Sequence, residues 1–379
     1  MDWNLTDDQR MVVDMVRDFA ANELRPQAAE LDHTGRFPLE SLRRMAALGL
    51  MGMNVPEAYG GNQFGPVALS LAVTEVARAC ASTAVTMSVT NMVGEAIAVF
   101  GTEEQKRRFI PKVIGGDDPI GSFCLTETSA GSDAAALKTK AILDGDQWVL
   151  DGSKVFISHG AYASVLIVWA RTGDLPGAKG ISAFIVEKDT PGLIIGKSED
   201  KMGLRGSNTV ALTFENCRIP RDNLLGELNQ GFKIAMMALD GGRIGVASQA
   251  LGIGYAALYA VIEYARIREQ FGQPIGRFGA IQHFVSDMST ILEAARAMIL
   301  RAAWLKENKK RFSQEASMAK LFITENLQKI VRDAVQVHGG YGYTKEYVVE
   351  RLFRDARVTT IYEGTSEVQR IVIARELLS

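Results

Sequence analysis

Cysteine is scarce. Cys80, Cys124 and Cys217 are the only three in 379 residues, they lie far apart, and none forms a CxxC pair. That excludes a disulfide scaffold and a cysteine-built zinc site, and it fits a reducing compartment. A basic excess is also missing. The formal net charge is −2, whereas nucleic-acid binders carry a clear surplus of Lys and Arg. No uncharged apolar run reaches about 18 residues, so no membrane span is expected. The N-terminal stretch MDWNLTDDQRMVVDMVRDFA is acidic and amphipathic. It has neither the basic start and apolar core of a secretory signal nor the Arg-rich, acid-poor composition of a transit peptide.

What is present is an ordinary globular balance, 47% apolar and 23% charged, in a chain long enough for two or three domains. The pattern changes twice along it. Residues 1–118 read as helices. Thr6 with Gln9, and Thr102 with Gln105, form capping-box patterns ahead of periodic runs. AVTEVARACASTAVTMSVTNMVGEAIAVF is apolar nearly all round and reads as a buried helix. Residues 119–228 hold short β-branched and aromatic segments such as QWVLDGSKVFIS, SVLIVWART, ISAFIVEKD and TVALTFENCRIP, bounded by turn formers. They predict a small, largely antiparallel β-domain, a barrel or sandwich. Residues 229–379 return to long helical periods, as in GFKIAMMALDGGRIGVASQALGIGYAALYAVIEYARIREQF, and predict an antiparallel four-helix bundle. The order is helices, strands, helices, not the alternation of a doubly wound sheet. GIGYAA, residues 252–257, matches a dinucleotide-binding fingerprint, but it lies inside a helical period with no strand before it. Small residues there serve close helix packing.

IYEGTSEVQR, residues 361–370, sets a carboxylate, Glu363, between an aromatic residue and a glycine. By itself this is either a solvated turn residue or a catalytic base. Several blocks in order then resemble the acyl-CoA dehydrogenase family. They are FCLTETSAGSDAAALKTKA, KVFISHGA, KMGLRGSNTVALTFENCRIPRDNLLGE, ALDGGRIGVASQALGIG, RIREQFGQPIG, QVHGGYGYTKEY and RDARVTTIYEGTSEVQR. Together they cover most of the chain, and they look most like the short-chain (butyryl-CoA) branch.

The resemblance implies a mainly α protein with a central β-domain. It implies FAD-dependent oxidation of the Cα–Cβ bond of an acyl-CoA thioester, the first oxidation of fatty acid β-oxidation, with electrons passed to an electron-transfer flavoprotein. Glu363 matches the family's base. Some relatives carry the base one residue before the arginine of the LDxxR block; here that position is Gly242, which cannot serve. The resemblance places Phe123, Leu125, Thr126, Gly131, Ser132, Phe156, Ile157 and Ser158 along the flavin, with Ser158 near N5. Phe156 and Ser158 stand where the family often has Trp and Thr. Arg268, Phe271, Gln282 and the run Gln336, Val337, His338, Gly339 and Gly340 resemble residues that reach the FAD of a neighbouring subunit. His338 stands where Leu is frequent, and it reads as a pocket-lining or buried neutral imidazole. Thr365 and Glu367 would also contact FAD. Ser132, Leu239, Asp240, Arg243, Tyr362 and Gly364 would meet the substrate. Asp240 and Arg243, three apart on one helix, form either an intrahelical ion pair or a contact with the CoA moiety.

The resemblance further implies a homotetramer, a dimer of dimers, in bacterial cytoplasm or, for a processed chain, the mitochondrial matrix. STAVTMSVTNMVGE, residues 82–95, resembles the helix that forms the acyl pocket. It contains no Arg or Lys, which disfavours a dicarboxylate such as glutaryl-CoA. A branched-chain substrate (isobutyryl- or 2-methylbutyryl-CoA) is the alternative. An acyl-CoA oxidase and a non-catalytic flavin-binding partner protein are more distant ones.

Overall fold

A computed structural model describes residues 5–378; the remaining ends of the expected domain spans lie outside them. The chain opens with α1 (Asp7–Phe19), α2 (Ala28–Thr34), α3 (Leu39–Ala47), α4 (Gly65–Ala79), α5 (Ala81–Phe100) and α6 (Glu103–Ile114). Both capping boxes form: Thr6 accepts from the Gln9 N–H and Thr102 from the Gln105 N–H, each at 3.2 Å. The expected single apolar helix is two. It breaks at Cys80, whose backbone is extended at φ −150°, and the Thr83 hydroxyl donates to the Cys80 sulfur at 3.2 Å at the start of α5.

The β-domain comprises β1 (Gly121–Cys124), β2 (Lys140–Asp144), β3 (Gln147–Ser158), β4 (Val165–Arg171), β5 (Ile181–Glu187), β6 (Leu193–Ser198), β7 (Thr209–Pro220) and β8 (Leu224–Leu225). Its order is β6-β7-β3-β2-β4-β5-β8, with β1 parallel to β4. Of the barrel or sandwich expected, the sheet is not closed as a barrel. The two ends of the path, β6 and β8, are not paired, and β2 touches β4 through the single pair Lys140 and Arg171. One bridge cannot hold a continuous ladder, so the strands form two leaves joined at that point. β4 and β5 are buried along almost their whole length, which explains their unbroken apolar sequence.

The last region holds α7 (Gly231–Ile267), the short hairpin β9 (Glu269–Gln270) and β10 (Gln273–Pro274), α8 (Gly279–Glu307), α9 (Ser313–His338), α10 (Val349–Ala356) and α11 (Ser366–Leu378). At 37 residues α7 is about 55 Å long. It packs against α4, α5, α8 and α9 and so joins the N-terminal helices to the bundle. The glycines of GIGYAA lie inside it. A Cβ on Gly252 would drive into the Thr74 carbonyl and meet Ala77 Cβ at 2.6 Å, and one on Gly254 would meet Leu292 at 2.5 Å. These residues are small because neighbouring helices touch the α7 backbone. By length and composition α5 and α7 could each cross a bilayer, but 72% and 78% of their apolar windows are buried inside the protein. Their hydrophobicity is consumed in the fold.

Gly252→Val should therefore destabilise the protein by about 1–3 kcal/mol or more, since it overpacks a helix crossing. Gly173→Ala, where an added Cβ meets nothing within 4 Å, should change little. Thermal unfolding of the two variants checks this.

Candidate active site

Three parts of the chain converge on a cleft of about 290 Å3. The β-domain contributes Phe123, Leu125, Thr126, Gly131, Ser132, Phe156 and Ser158. α5 adds Val85, Ser88, Val89 and Met92, and α7 adds Leu239, Arg243, Val246 and Gln249. Tyr362, Glu363 and Gly364 close it.

The β-domain side rests on a buried ion pair. Lys154 on β3 is wholly buried; its ammonium donates to Glu127 at 2.8 Å and to the Leu125 carbonyl at 3.1 Å. Glu127 also accepts from the backbone N–H groups of Lys138 (2.6 Å) and Thr139 (2.9 Å). Burial works to raise the Glu127 carboxyl, but Lys154 and these donors hold it below its ordinary pKa. The pair pins both ends of the loop that carries Thr126, Gly131 and Ser132. A bulge follows between Lys154 and Ile157. There Phe156 takes φ +55° and its ring is 68% exposed at the cleft, while Ile157 beneath it is 1% exposed.

Glu363 sits in the turn between α10 and α11 with φ +53°, followed by Gly364 at +87°. A non-glycine residue in the left-handed region is strained and needs restraint. Two side chains supply it. Lys320 of α9, fully buried, donates to the carbonyls of Thr359 (3.1 Å) and Gly364 (2.8 Å). Gln369 of α11 donates to the carbonyls of Glu363 (3.2 Å) and Gly364 (2.8 Å). The neighbouring Tyr362 hydroxyl donates to Gln249 of α7. Glu363 retains some access to the cleft, yet its carboxyl is enclosed, and burial pushes its pKa up to about 7 against the opposing charges of Lys320 and Arg243. Burial in turn pulls the Lys320 ammonium down to about 8. The carboxylate end lies over Gly242, where a Cβ would stand 2.7 Å from its Oε1. Gly242 thus leaves the space that the Glu363 carboxylate fills.

Not all the expected residues share this cleft. Asp240 is not among its lining residues; it forms the intrahelical ion pair at 2.5 Å with Arg243, which is one of them. Arg243 also reaches Ser317, and Asp240 accepts from Ser313. Arg243 is 5% exposed, with its Nε buried and unpartnered. Thr365 caps α11, and Glu367 is exposed on its first turn. Arg268, Phe271, Val337, His338, Gly339 and Gly340 line a separate pocket of about 640 Å3 that shares no lining residue with the cleft. In it His338 stacks on Tyr264 at 4.3 Å and donates from Nδ1 to the Ala334 carbonyl at 2.8 Å; burial lowers its pKa. Gln336 is exposed and Gln282 donates to the Gly276 carbonyl; neither is among that pocket's lining residues.

Profiles of the acyl-CoA dehydrogenase N-terminal, middle and C-terminal domains match residues 6–117, 122–217 and 229–378. The chain belongs to the acyl-CoA dehydrogenase family. It is therefore an FAD-dependent oxidoreductase of the acyl-CoA dehydrogenase fold. It is 50% identical over 375 residues to the mitochondrial short-chain specific acyl-CoA dehydrogenase of Bos taurus, covering 99% of this chain and 91% of that one. It is 47% identical over 380 residues to the acryloyl-CoA reductase (NADH) of Anaerotignum propionicum, covering 100% and 96%. Among solved structures, a chain from work on the electron transferring flavoprotein of Acidaminococcus fermentans superimposes with a TM-score of 0.98 at 46% identity, with both chains fully covered.

Sequence reasoning missed Lys320, Gln369, Gln249 and the pair Lys154–Glu127. One signal was available for Lys320. Ala316, Ala319, Ile323 and Leu327 share its helix face, so periodicity alone put a cation on a buried stripe. Lys306 was also missed. α5 carries no cation, but Lys306 of α8 reaches its Glu95 at 2.7 Å and neutralises that carboxylate.

Removing the Lys320 charge by Lys320→Met should raise the Glu363 pKa by roughly one unit or more, since a nearby cation favours the carboxylate. The ionised fraction at pH 7 should fall accordingly. A carboxyl 13C NMR titration, with Glu363→Gln to assign the resonance, reads the shift.

Proposed function

We propose that the chain dehydrogenates a short-chain acyl-CoA thioester between Cα and Cβ to the trans-2-enoyl-CoA. The observation that carries this is a carboxylate with a pKa of about 7 in a cleft that also presents Thr126, Ser158 and an exposed aromatic ring. An α-proton of a thioester is weakly acidic, and a base poised near the working pH is suited to take it. Among the described residues the Glu363 N–H has no acceptor, which leaves it free to donate to the thioester oxygen as charge develops there. Gly364 keeps that approach open, and Tyr362 and Leu239 keep water from the base. Ser132 would complete substrate binding, and Arg243, held by its ion pair with Asp240, would act on the substrate through its charge on Glu363.

The residues present fit FAD. An added Cβ on Gly131 would meet nothing within 4 Å, so its backbone lies open beside Ser132, and Phe123, Leu125, Thr126, Phe156 and Ser158 line the same cleft, with Ile157 fixing the bulge. FAD bound there supplies the acceptor for the β-hydride. Thr365 and Glu367 would reach it from the start of α11. Arg268, Phe271, Gln282 and Gln336–Gly340 would serve the FAD of another copy in a homotetramer. Phe271 supports this: it is 94% exposed at a hairpin tip, an unusual position for a large ring. An electron-transfer flavoprotein is the proposed acceptor, in keeping with the Acidaminococcus likeness. The acryloyl-CoA reductase likeness favours a second reading, reduction of an enoyl-CoA by the same site, in which the β-hydride would come from FAD reduced by the electron partner and protonated Glu363 would return the α-proton.

Anaerobic titration with butyryl-CoA should bleach the bound flavin, faster as pH rises through about 7 and Glu363 ionises. Glu363→Gln should retain flavin and lose about 10^2-fold to 10^4-fold in rate. Bleaching by isobutyryl-CoA alone would move the substrate to the branched-chain class, and a protein that binds no flavin would sink the proposal.

A further inference from the structure

α5 and α7 touch along a narrow seam. A Cβ on Gly245 would collide with the Ser88 hydroxyl, and one on Gly242 would stand 3.1 Å from the Met92 sulfur. Two side chains against two glycines therefore make the wall. On one side of it lies the cleft with Glu363. On the other lies a second cavity of about 60 Å3, and Ser88 and Met92 are the two residues that line both. The second cavity is largely apolar, with Leu69, Ala96 and Ile244 among its walls. Its end is polar: Glu95 pairs with Lys306 at 2.7 Å and accepts from Asn54 at 3.0 Å.

We propose that Met92, backed by Ser88, is the stop that sets acyl-chain length, and that the cavity behind it is a latent subsite for the tail of a longer acyl chain. The proposal rests on the acyl-CoA reading of the cleft. Met92 and the Glu363 carboxylate both lie against Gly242, so a thioester with its α-carbon at Glu363 has only a short run before its tail meets the methionine. Met92 is 7% exposed and packed in place. A longer chain must displace it, and then finds apolar walls that reward each added methylene until the Glu95–Lys306 pair halts it.

The test compares wild-type holoenzyme with Met92→Ala, Met92→Ala/Ala96→Leu and Met92→Phe. Anaerobic flavin bleaching is followed with propionyl-, butyryl-, hexanoyl- and octanoyl-CoA, and binding of the matching enoyl-CoA is measured by calorimetry. Met92→Ala should raise the hexanoyl-to-butyryl ratio of both rate and affinity by about tenfold, the worth of two methylenes in an apolar pocket. Ala96→Leu, by refilling the cavity, should reverse that gain. Met92→Phe, which leaves no void, should turn preference toward propionyl-CoA. Ratios unchanged in both Met92→Ala and Met92→Phe, with wild type bleached by butyryl-CoA, overturn the proposal and leave the acyl-CoA reading standing. A wild type bleached by none of the four thioesters overturns that reading, and the proposal with it.

Discussion

A carboxylate must be kept out of water without being permanently neutralised. Raising Glu363 from its ordinary 4.5 to about 7 means that ionising it in the fold costs about 3 kcal/mol more than in water. The penalty is absent below the unfolded pKa and complete above the folded one, so this group subtracts stability as pH rises through that window. Its backbone adds about 1–3 kcal/mol of strain at φ +53°. A loop of its own could not hold such a group. Lys320 meets both demands, since one ammonium binds the turn's carbonyls and sets a positive charge near the carboxylate. Gln369 grips the same turn from the following helix.

The same solution recurs across the cleft. Lys154 is a buried lysine that ties a loop carbonyl and a carboxylate, and it fixes the segment that presents Thr126 and Ser132. Breaking such a pair from one side leaves a buried charge uncompensated, which is why each is satisfied by several partners rather than one. α7 then brings the two halves into register. Its glycines at 242, 245, 252 and 254 let α4, α5 and α8 approach its backbone, and Gly242 makes the space that the carboxylate fills.

Much of this was legible in the chain. Capping boxes marked α1 and α6, uninterrupted β-branched runs marked β4 and β5, and the IYEGTSE motif singled out Glu363. The misses share a physical character. The helix break at Cys80 lies within an apolar run, with no glycine or proline in residues 70–90 around it. The choice between barrel and sandwich stayed open in the sequence, because closure depends on how many pairs β2 and β4 share, a long-range quantity that strand patterns do not encode. Lys320 and Lys154 were passed over because a lone lysine in an apolar segment reads as a side chain reaching for solvent. The Ser88–Met92 seam depended on which faces of α5 and α7 would meet, and an almost uniformly apolar helix has no periodicity to declare a face.

A pKa near 7 also bears on direction. A carboxylate titrating at 4.5 would be almost wholly ionised at neutral pH and a weak base. One pushed far higher would be protonated and unable to start the oxidation. Near 7 both forms are populated, so in the proposed reaction one residue would serve either to accept the α-proton from an acyl thioester or to return it to an enoyl thioester. The relatives named for opposite directions, a short-chain dehydrogenase and an acryloyl-CoA reductase, are similar to this chain at 50% and 47% identity. The charge environment of Glu363 is compatible with both. Under the proposed reading, direction would be governed by the potential of the electron partner and by which thioester is supplied, while Glu363 would act as a base whose protonation is balanced by burial on one side and by Lys320 and Arg243 on the other.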